Sequence, residues 1–277
     1  QFVSLEKAGL DLSHQDQGIR PQDDMYRHFN GTWLKNAVIA SDRASDGAFT
    51  ALHIEAEARV REIIETASGS DEAKKLGDIY ASFMDADSVQ AKGATPIAQD
   101  LTAVDSIENL ESFIEVLAKL EALGVSGIFG TFIYADMKDA STNILYMQQG
   151  GLSLPDETYY REEQYLEIRK AYLAHVAKMF ELAAVANAHE LADKVLALET
   201  SIASHHWDQV KDRDATLTYN KLTRSQVKAL MPTFDWESYL LHGQIPSIVL
   251  DSVIVQQPSF FEGLDSILKN FDAQSWK

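Results

Sequence analysis

Residues able to bind a metal or move a proton are thinly spread in this chain. It has eight histidines in 277 residues and no cysteine. A zinc site of the His-Glu-x-x-His kind needs two imidazoles one helical turn apart, with the glutamate acting on metal-bound water. His189-Glu190 is the sole His-Glu pair, and Asp193, not histidine, follows four residues after His189. Leu191 and Val195 lie on an apolar helical stripe there, so His189 reads as a solvated residue of an amphipathic helix. His205 and His206 are adjacent, which on a helix turns them about 100° apart and away from a shared ion. They read instead as caps at the end of a long helix, where positive charge is favoured. His28 and His53, beside aromatic residues and leucine, read as structural. The acid pairs Asp85/Asp87 and Asp212/Asp214 read as solvated loops of an acidic chain. No G-x-S-x-G elbow, P-loop or dinucleotide G-x-G-x-x-G occurs, and the glycines from Gly124 to Gly130 have the wrong spacing for one.

The densest stretch of residues with chemical roles is 23–49. Asp23 or Asp24 is placed to cap a short helix carrying Tyr26 and Phe29. Asn30-Gly31 is expected to stop that helix, because glycine tolerates the left-handed conformation of a helix end. Trp33 and Leu34 anchor the exit, and a polar loop from Ser41 to Gly47 leads to Phe49. Arg43 is the candidate for contact with a ligand, since a guanidinium can grip a carboxylate with two parallel hydrogen bonds. The alternative is an ion pair with Asp42 or Asp46 that orders the loop.

The surrounding periodicity is mostly helical. Leu52, Ala56, Val60, Ile63 and Ile64 recur at helical spacing until Ser68-Gly69-Ser70. A second helix is expected from about Glu72 to Met84. Asp105-x-x-Glu108 reads as a capping box opening the next one. Residues 128–134 and 143–149 are β-type runs around a polar turn, so one hairpin is expected at about 128–149. Two long helices, about 162–184 and 188–207, are joined by a short link and expected to pair antiparallel. Thr223-x-x-Gln226 reads as another capping box, residues 247–255 as a buried strand or apolar segment, and about 258–270 as a last helix. The expected fold class is mainly α, a multi-helix lobe with long antiparallel helices and one hairpin.

The net charge of −18, from 42 acids against 24 bases, argues against nucleic-acid backbones and anionic membranes as partners. Without cysteine there is neither a disulfide framework nor a thiolate metal site. No run reaches the roughly 18 apolar residues of a membrane span, and the start QFVSLEKAGLDL lacks the basic and apolar regions of a signal peptide.

Five blocks, in order, carry a family resemblance. Asp23, Asp24, Tyr26, Asn30, Gly31, Trp33 and Leu34, then Asp42, Arg43, Gly47 and Phe49, resemble the opening of the neprilysin-type (endothelin-converting-enzyme-like) zinc metallopeptidases. Tyr80, Ser82, Met84, Asp85, Gly93, Pro96 and Ile97 form the next block. The run from Gln149 to Pro155 with Tyr159-Tyr160, then Arg213, Asp214, Tyr219 and Asn220, continue it as far as Trp276-Lys277. Phe83 stands where family members often carry cysteine, consistent with no disulfide, and a cysteine-free member points to a bacterial protein, cytoplasmic or secreted.

Residues 1–22 are polar and read as an extended segment bounded by Pro21, and the resemblance implies an N-terminal peptidase domain over 23–277, with the catalytic domain absent from this chain. That domain would enclose a cavity that limits substrates to peptides. Asp24, Tyr26, Asn30, Gly31, Trp33, Gly47 and Phe49 would form its structural signature, with Arg43 facing the peptide. Many relatives carry a second arginine two residues on, where this chain has Ser45. Zinc would belong to the intact enzyme and not to this fragment, whose partners would be peptide substrates and its own C-terminal catalytic domain. Alone, the fragment would be inactive. The competing reading is a free-standing helical module that binds peptides or proteins without catalysis.

Overall fold

The computed structural model describes residues 11–277. Residues 1–10, and with them part of the expected extended segment, lie outside the described residues. The chain forms two compact units that divide between Gln90 and Ala91.

In the first unit, residues 11–22 are turned, not extended. Asp11 caps a 3-10 turn at Leu12–His14 by accepting from the Ser13 N–H. The Asp16 N–H then donates to the His28 carbonyl at 2.8 Å, and Thr32 Oγ1 donates to the Gln15 carbonyl at 2.8 Å. Both acceptor and donor pairs tie the segment to helix α1, Met25–Asn36, which Asp24 caps by accepting from the Arg27 N–H. The expected stop at Asn30-Gly31 is corrected: α1 runs through both residues. A helical glycine costs about 1 kcal/mol relative to alanine. Here that cost is offset by close approach, since a Cβ on Gly31 would sit 2.6 Å from Asp16 Cβ. Helices α2, Ala48–Glu65, and α3, Asp71–Met84, follow, separated by the Ser68-Gly69-Ser70 break as expected. Helix α4 is Ala86–Lys92, and Ser88 N–H bonds to Asp85 at its start.

The second unit adds α5, Ala98–Asp105, and α6, Leu110–Ala122. Its first correction is the capping box: Asn109 and Ser112 form it, while Asp105 ends α5. Strands β1, Phe129–Asp136, and β2, Asp139–Gln149, form the expected antiparallel hairpin with a tighter turn than the polar run suggested. Next come α7, Thr158–Arg161, then α8, Leu166–Leu182, and α9, Ala188–Ala203. The last two pack through Leu173, Val176, Ala177, Phe180, Ala188 and Ala192. The remaining elements are α10, Gln209–Asp212, β3, Asn220–Leu222, α11, Arg224–Leu230, and α12, Trp236–His242. They end with β4, Val253–Val255, α13, Pro258–Leu268, and α14, Ala273–Trp276. The Thr223/Gln226 capping box opens α11 as expected.

The hairpin is part of a larger sheet. Its order is β1-β2-β4-β3, with β4 parallel to β2 and antiparallel to β3. Of the apolar run 247–255, only Val253–Val255 is strand; Ser247–Leu250 is a 3-10 turn. All three β4 residues are buried at 0% exposure, because the strand is flanked on both sides within the sheet. One sheet face packs on α6, α12 and α13 through Ile114, Phe129, Met147, Tyr239, Phe261 and Leu264. Phe129 is the hub, with the rings of Phe234, Trp236, Tyr239 and Phe261 each 5.7 Å from its own. The described chain is thus mainly helical with a small four-stranded sheet.

Candidate functional site

In the stretch 23–49 the side chains of Asp24, Asn30, Asn36 and Asp46 bond backbone within it, while those of His28, Thr32, Lys35 and Arg43 reach partners outside it. Asn30 donates its side-chain amide to the Tyr26 carbonyl at 3.0 Å, one turn back on α1. Trp33 is half-buried, its ring 6.4 Å from His14. Gly47 precedes α2, and Phe49 and Tyr26 are exposed at 84% and 61%. Arg43 does not pair with Asp42 or Asp46. Its Nη2 lies 3.2 Å from Glu57 Oε2, two turns into α2. A helix placed directly after the loop presents its own acid to the guanidinium, and loop spacing gives no sign of that. A substrate carboxylate at Arg43 would have to displace or share Glu57.

The histidines do not assemble. His189 and Asp193 are exposed on α9. The expected capping role of His205 and His206 is corrected. His206 donates Nε2–H to the Gly150 carbonyl at 2.9 Å and packs edge-on against Phe260. Burial pushes its pKa down, so its neutral form is favoured there, the opposite of a charged cap. His205 lies against Gly263, where a Cβ would meet its ring. His28 bridges Gln15 and the Ile19 carbonyl, a structural role, whereas His53 is exposed. Among the described residues no three histidine, aspartate or glutamate side chains converge as metal ligands.

The most constrained polar groups are buried acids in the second unit that sequence reasoning passed over. Glu199 on α9, 8% exposed, accepts from four donors. They are Ser153 N–H at 3.2 Å, Ser153 Oγ at 2.6 Å, Tyr160 OH at 3.0 Å and Tyr172 OH at 2.8 Å. Burial beside this carboxylate pushes Tyr172 up to about 12 and raises Tyr160 as well. Glu199 thereby ties the Gln149–Pro155 loop to α7, α8 and α9. Asp136, at the end of β1, is 1% exposed and accepts from Lys221, Tyr219 and the Lys138 N–H. The Lys221 hydrogen bond, then the other two, bring its carboxyl down to about 2. Gln257 donates to Asp212 and accepts from the Gln149 N–H at 2.9 Å, so Asp212 is more than a solvated loop acid. Glu121 bonds Tyr239, its other oxygen has no partner, and burial raises its pKa.

Two clefts lie in the second unit. One of about 480 Å³ is lined by Lys194, Ser201, His205, Asn270, Asp272 and Trp276. Another of about 420 Å³ lies over the glycines of the hairpin base, with Glu121, Gly127, Gly130, Gln148 and Gly151 in its wall.

Comparison with known proteins places these features. The model of "Peptidase family M13" matches residues 21–277. A Lactobacillus helveticus neutral endopeptidase is 24% identical over 98% of this chain and 43% of its own length. Human endothelin-converting enzyme 1 is 23% identical over 94% of this chain and 36% of its own. The Mycobacterium tuberculosis zinc metalloprotease Zmp1, solved with an inhibitor, superimposes with a TM-score of 0.89 at 37% identity. That match covers 97% of this chain and 42% of Zmp1. The chain spans less than half the length of each of these relatives.

Proposed function

The chain belongs to peptidase family M13, and from that premise we propose that it is the N-terminal, substrate-enclosing part of a zinc-dependent metalloendopeptidase. The single observation that carries this is the family match, which runs from residue 21 to 277. The relatives' names support the activity: a neutral endopeptidase, an endothelin-converting enzyme and a zinc metalloprotease. Zinc, when bound in the intact enzyme, would activate water for attack on a peptide bond. The ligands would lie on polypeptide beyond this chain, because the described residues offer no converging set.

The role of this chain is to bind and confine. Its partners in the intact enzyme are a peptide substrate and the C-terminal catalytic domain. The 23–277 stretch acts as one functional region even though it folds as two units. Arg43 remains the peptide-facing candidate, poised on a loop and held by one exchangeable partner, Glu57. No helix among the described residues is long and apolar enough to cross a membrane.

The test is to read the coding sequence downstream of Lys277 and express what it encodes. A His-Glu-x-x-His helix, stoichiometric zinc and peptide hydrolysis abolished by a chelator are the expected results. A reading frame that closes without that motif would favour a non-catalytic binding module and overturn the proposal.

A further inference from the structure

The run FGTFIYA, residues 129–135, carries no charge and no proline, and its middle is β-branched and aromatic. That composition suits a pleated strand, and β1 forms over Phe129–Asp136. In the order β1-β2-β4-β3 it is an outer strand, paired with β2 alone. Alternate residues of such a strand turn their N–H and C=O groups away from the partner. Among the described residues, no hydrogen bond outside the β1–β2 ladder reaches the backbone of 130–134.

The opposite edge is guarded. Strand β3 has three residues, Asn220–Leu222, and its central Lys221 is tied to Asp136. Short edges and edge lysines are devices by which folded sheets refuse further pairing. Strand β1 has neither. It is eight residues long, and Ile133 and Tyr134 are 63% and 66% exposed. Its register shifts only between Ala135 and Asp136, at the strand's end. Thr131 and Ile133 lie on one face of the strand, Phe132 and Tyr134 on the other. Phe132 is held by stacking on Tyr146, ring centroids 5.0 Å apart. The cleft of about 420 Å³ at the hairpin base is walled in part by Phe129, Gly130 and Thr131, and so continues the same edge.

We propose that the open edge of β1 is a strand-addition site for an extended peptide segment of another molecule, bound as a fifth strand of the sheet. The backbone selects the chemistry. A row of unpaired N–H and C=O groups at strand spacing is matched by another extended chain. Charge selects the source. A second copy would bring its own net charge of −18 to the same line, whereas a neutral or basic peptide meets no such repulsion. The side chains set the preference: β-branched or aromatic residues at successive positions, packing on Thr131 and Ile133 from one face and on Phe132 and Tyr134 from the other. The peptidase reading is not required, since this edge would hold a strand whether or not the intact protein cuts it.

The test measures fluorescence anisotropy with the full-length protein and a chelator present to stop hydrolysis. The probe is a fluorescein-labelled, C-amidated heptapeptide with valine and threonine alternating between lysine ends. The expected result is saturable binding, weakened about tenfold by N-methylation at every second residue and under about twofold at the residues between. Ile133→Lys should weaken the unmethylated probe about tenfold and abolish the alternation. Met137→Lys, exposed in the hairpin turn, should change nothing. Circular dichroism melts confirm that both variants fold. Equal effects of methylation at all positions, or an alternation that survives Ile133→Lys, would overturn the proposal. No binding at about 1 mM would do the same. A dimer in sedimentation that Ile133→Lys dissolves would overturn the choice of occupant in favour of a second copy. Probe binding by a protein that cuts no peptide refutes the function proposed above alone, whereas a zinc peptidase whose binding ignores methylation refutes this inference alone.

Discussion

Lys221 Nζ lies 2.8 Å from Asp136 Oδ2, joining strand β3 to the tip of the β1–β2 hairpin. The two strands are opposite edges of the sheet, and Tyr219 OH adds a second bond to the same carboxylate at 2.8 Å. The pair closes the hairpin end over β4 and lets a buried acid remain ionised.

The pH dependence of that closure has a definite sign. The Asp136 carboxyl is held at about 2, below its usual 3.8, by Lys221 first and then by Lys138 N–H and Tyr219. Its contribution is complete above pH 3.8 and is lost as pH falls through about 2. Asp136→Asn should therefore lower the unfolding midpoint above pH 4, and the gap to the parent protein should close between roughly pH 4 and 2. Thermal melts across that range check it; a gap that persists at low pH would contradict it.

Glu121 should behave in the opposite way. Burial raises its pKa above the usual 4.5, so its favourable contribution is present below that value and lost as pH rises through the folded pKa. Glu121→Gln keeps an acceptor for Tyr239 while removing the charge. The variant should melt higher than the parent at pH 7 and no higher at pH 4. A variant less stable at pH 7 would show that the ionised form is needed.

Glu199 should be costly to remove because four donors depend on it. Glu199→Ala leaves buried hydroxyls unpaired and should cost about 3 kcal/mol or more. Tyr172→Phe removes one bond and should cost about 1 kcal/mol. Denaturant titrations of both variants give the comparison, and equal losses would mean the network is not shared.

Two glycines in helices should respond in opposite directions. A Cβ at Gly31 would meet Asp16 Cβ at 2.6 Å, whereas a Cβ at Gly77 would meet nothing within 4 Å. Gly31→Ala should destabilise by about 1–3 kcal/mol through overpacking, partly offset by helix propensity. Gly77→Ala should stabilise by about 0.5–1 kcal/mol. Limited proteolysis should cut near residues 11–18 faster in the first variant only.

Arg43 is tested in the intact enzyme. Its exposed pair with Glu57 is worth under about 1 kcal/mol, so Arg43→Ala should fold normally. If it grips a substrate carboxylate, KM should rise roughly tenfold for peptides with a free C-terminus. Amidated peptides should be unaffected. Equal effects on both would remove it from the peptide path.

Much of the helical architecture was legible from residue order. Periodicity placed α2, α3, α8, α9 and α13, the β-branched runs placed the hairpin, and Thr223 with Gln226 marked the start of α11. These features depend on hydrogen bonds and side-chain contacts within a few residues, which sequence displays directly. The absence of a His-Glu-x-x-His motif is equally local.

Other outcomes required the folded chain. Gly31 stays helical because Asp16 returns against it from fifteen residues away. Arg43 meets Glu57 and not the nearer Asp42 or Asp46. Asp136 meets Lys221 across 85 positions, and Glu199 collects hydroxyls from three separate segments. In a chain with 42 acids, nothing in residue type distinguishes those that will be buried and paired from those that remain in water. That distinction follows from which distant donors the fold brings within about 3 Å, where desolvation makes a partner necessary. Residue order by itself determined the helices and the kinship; only tertiary structure decided which polar groups they enclose and which apolar faces they leave open.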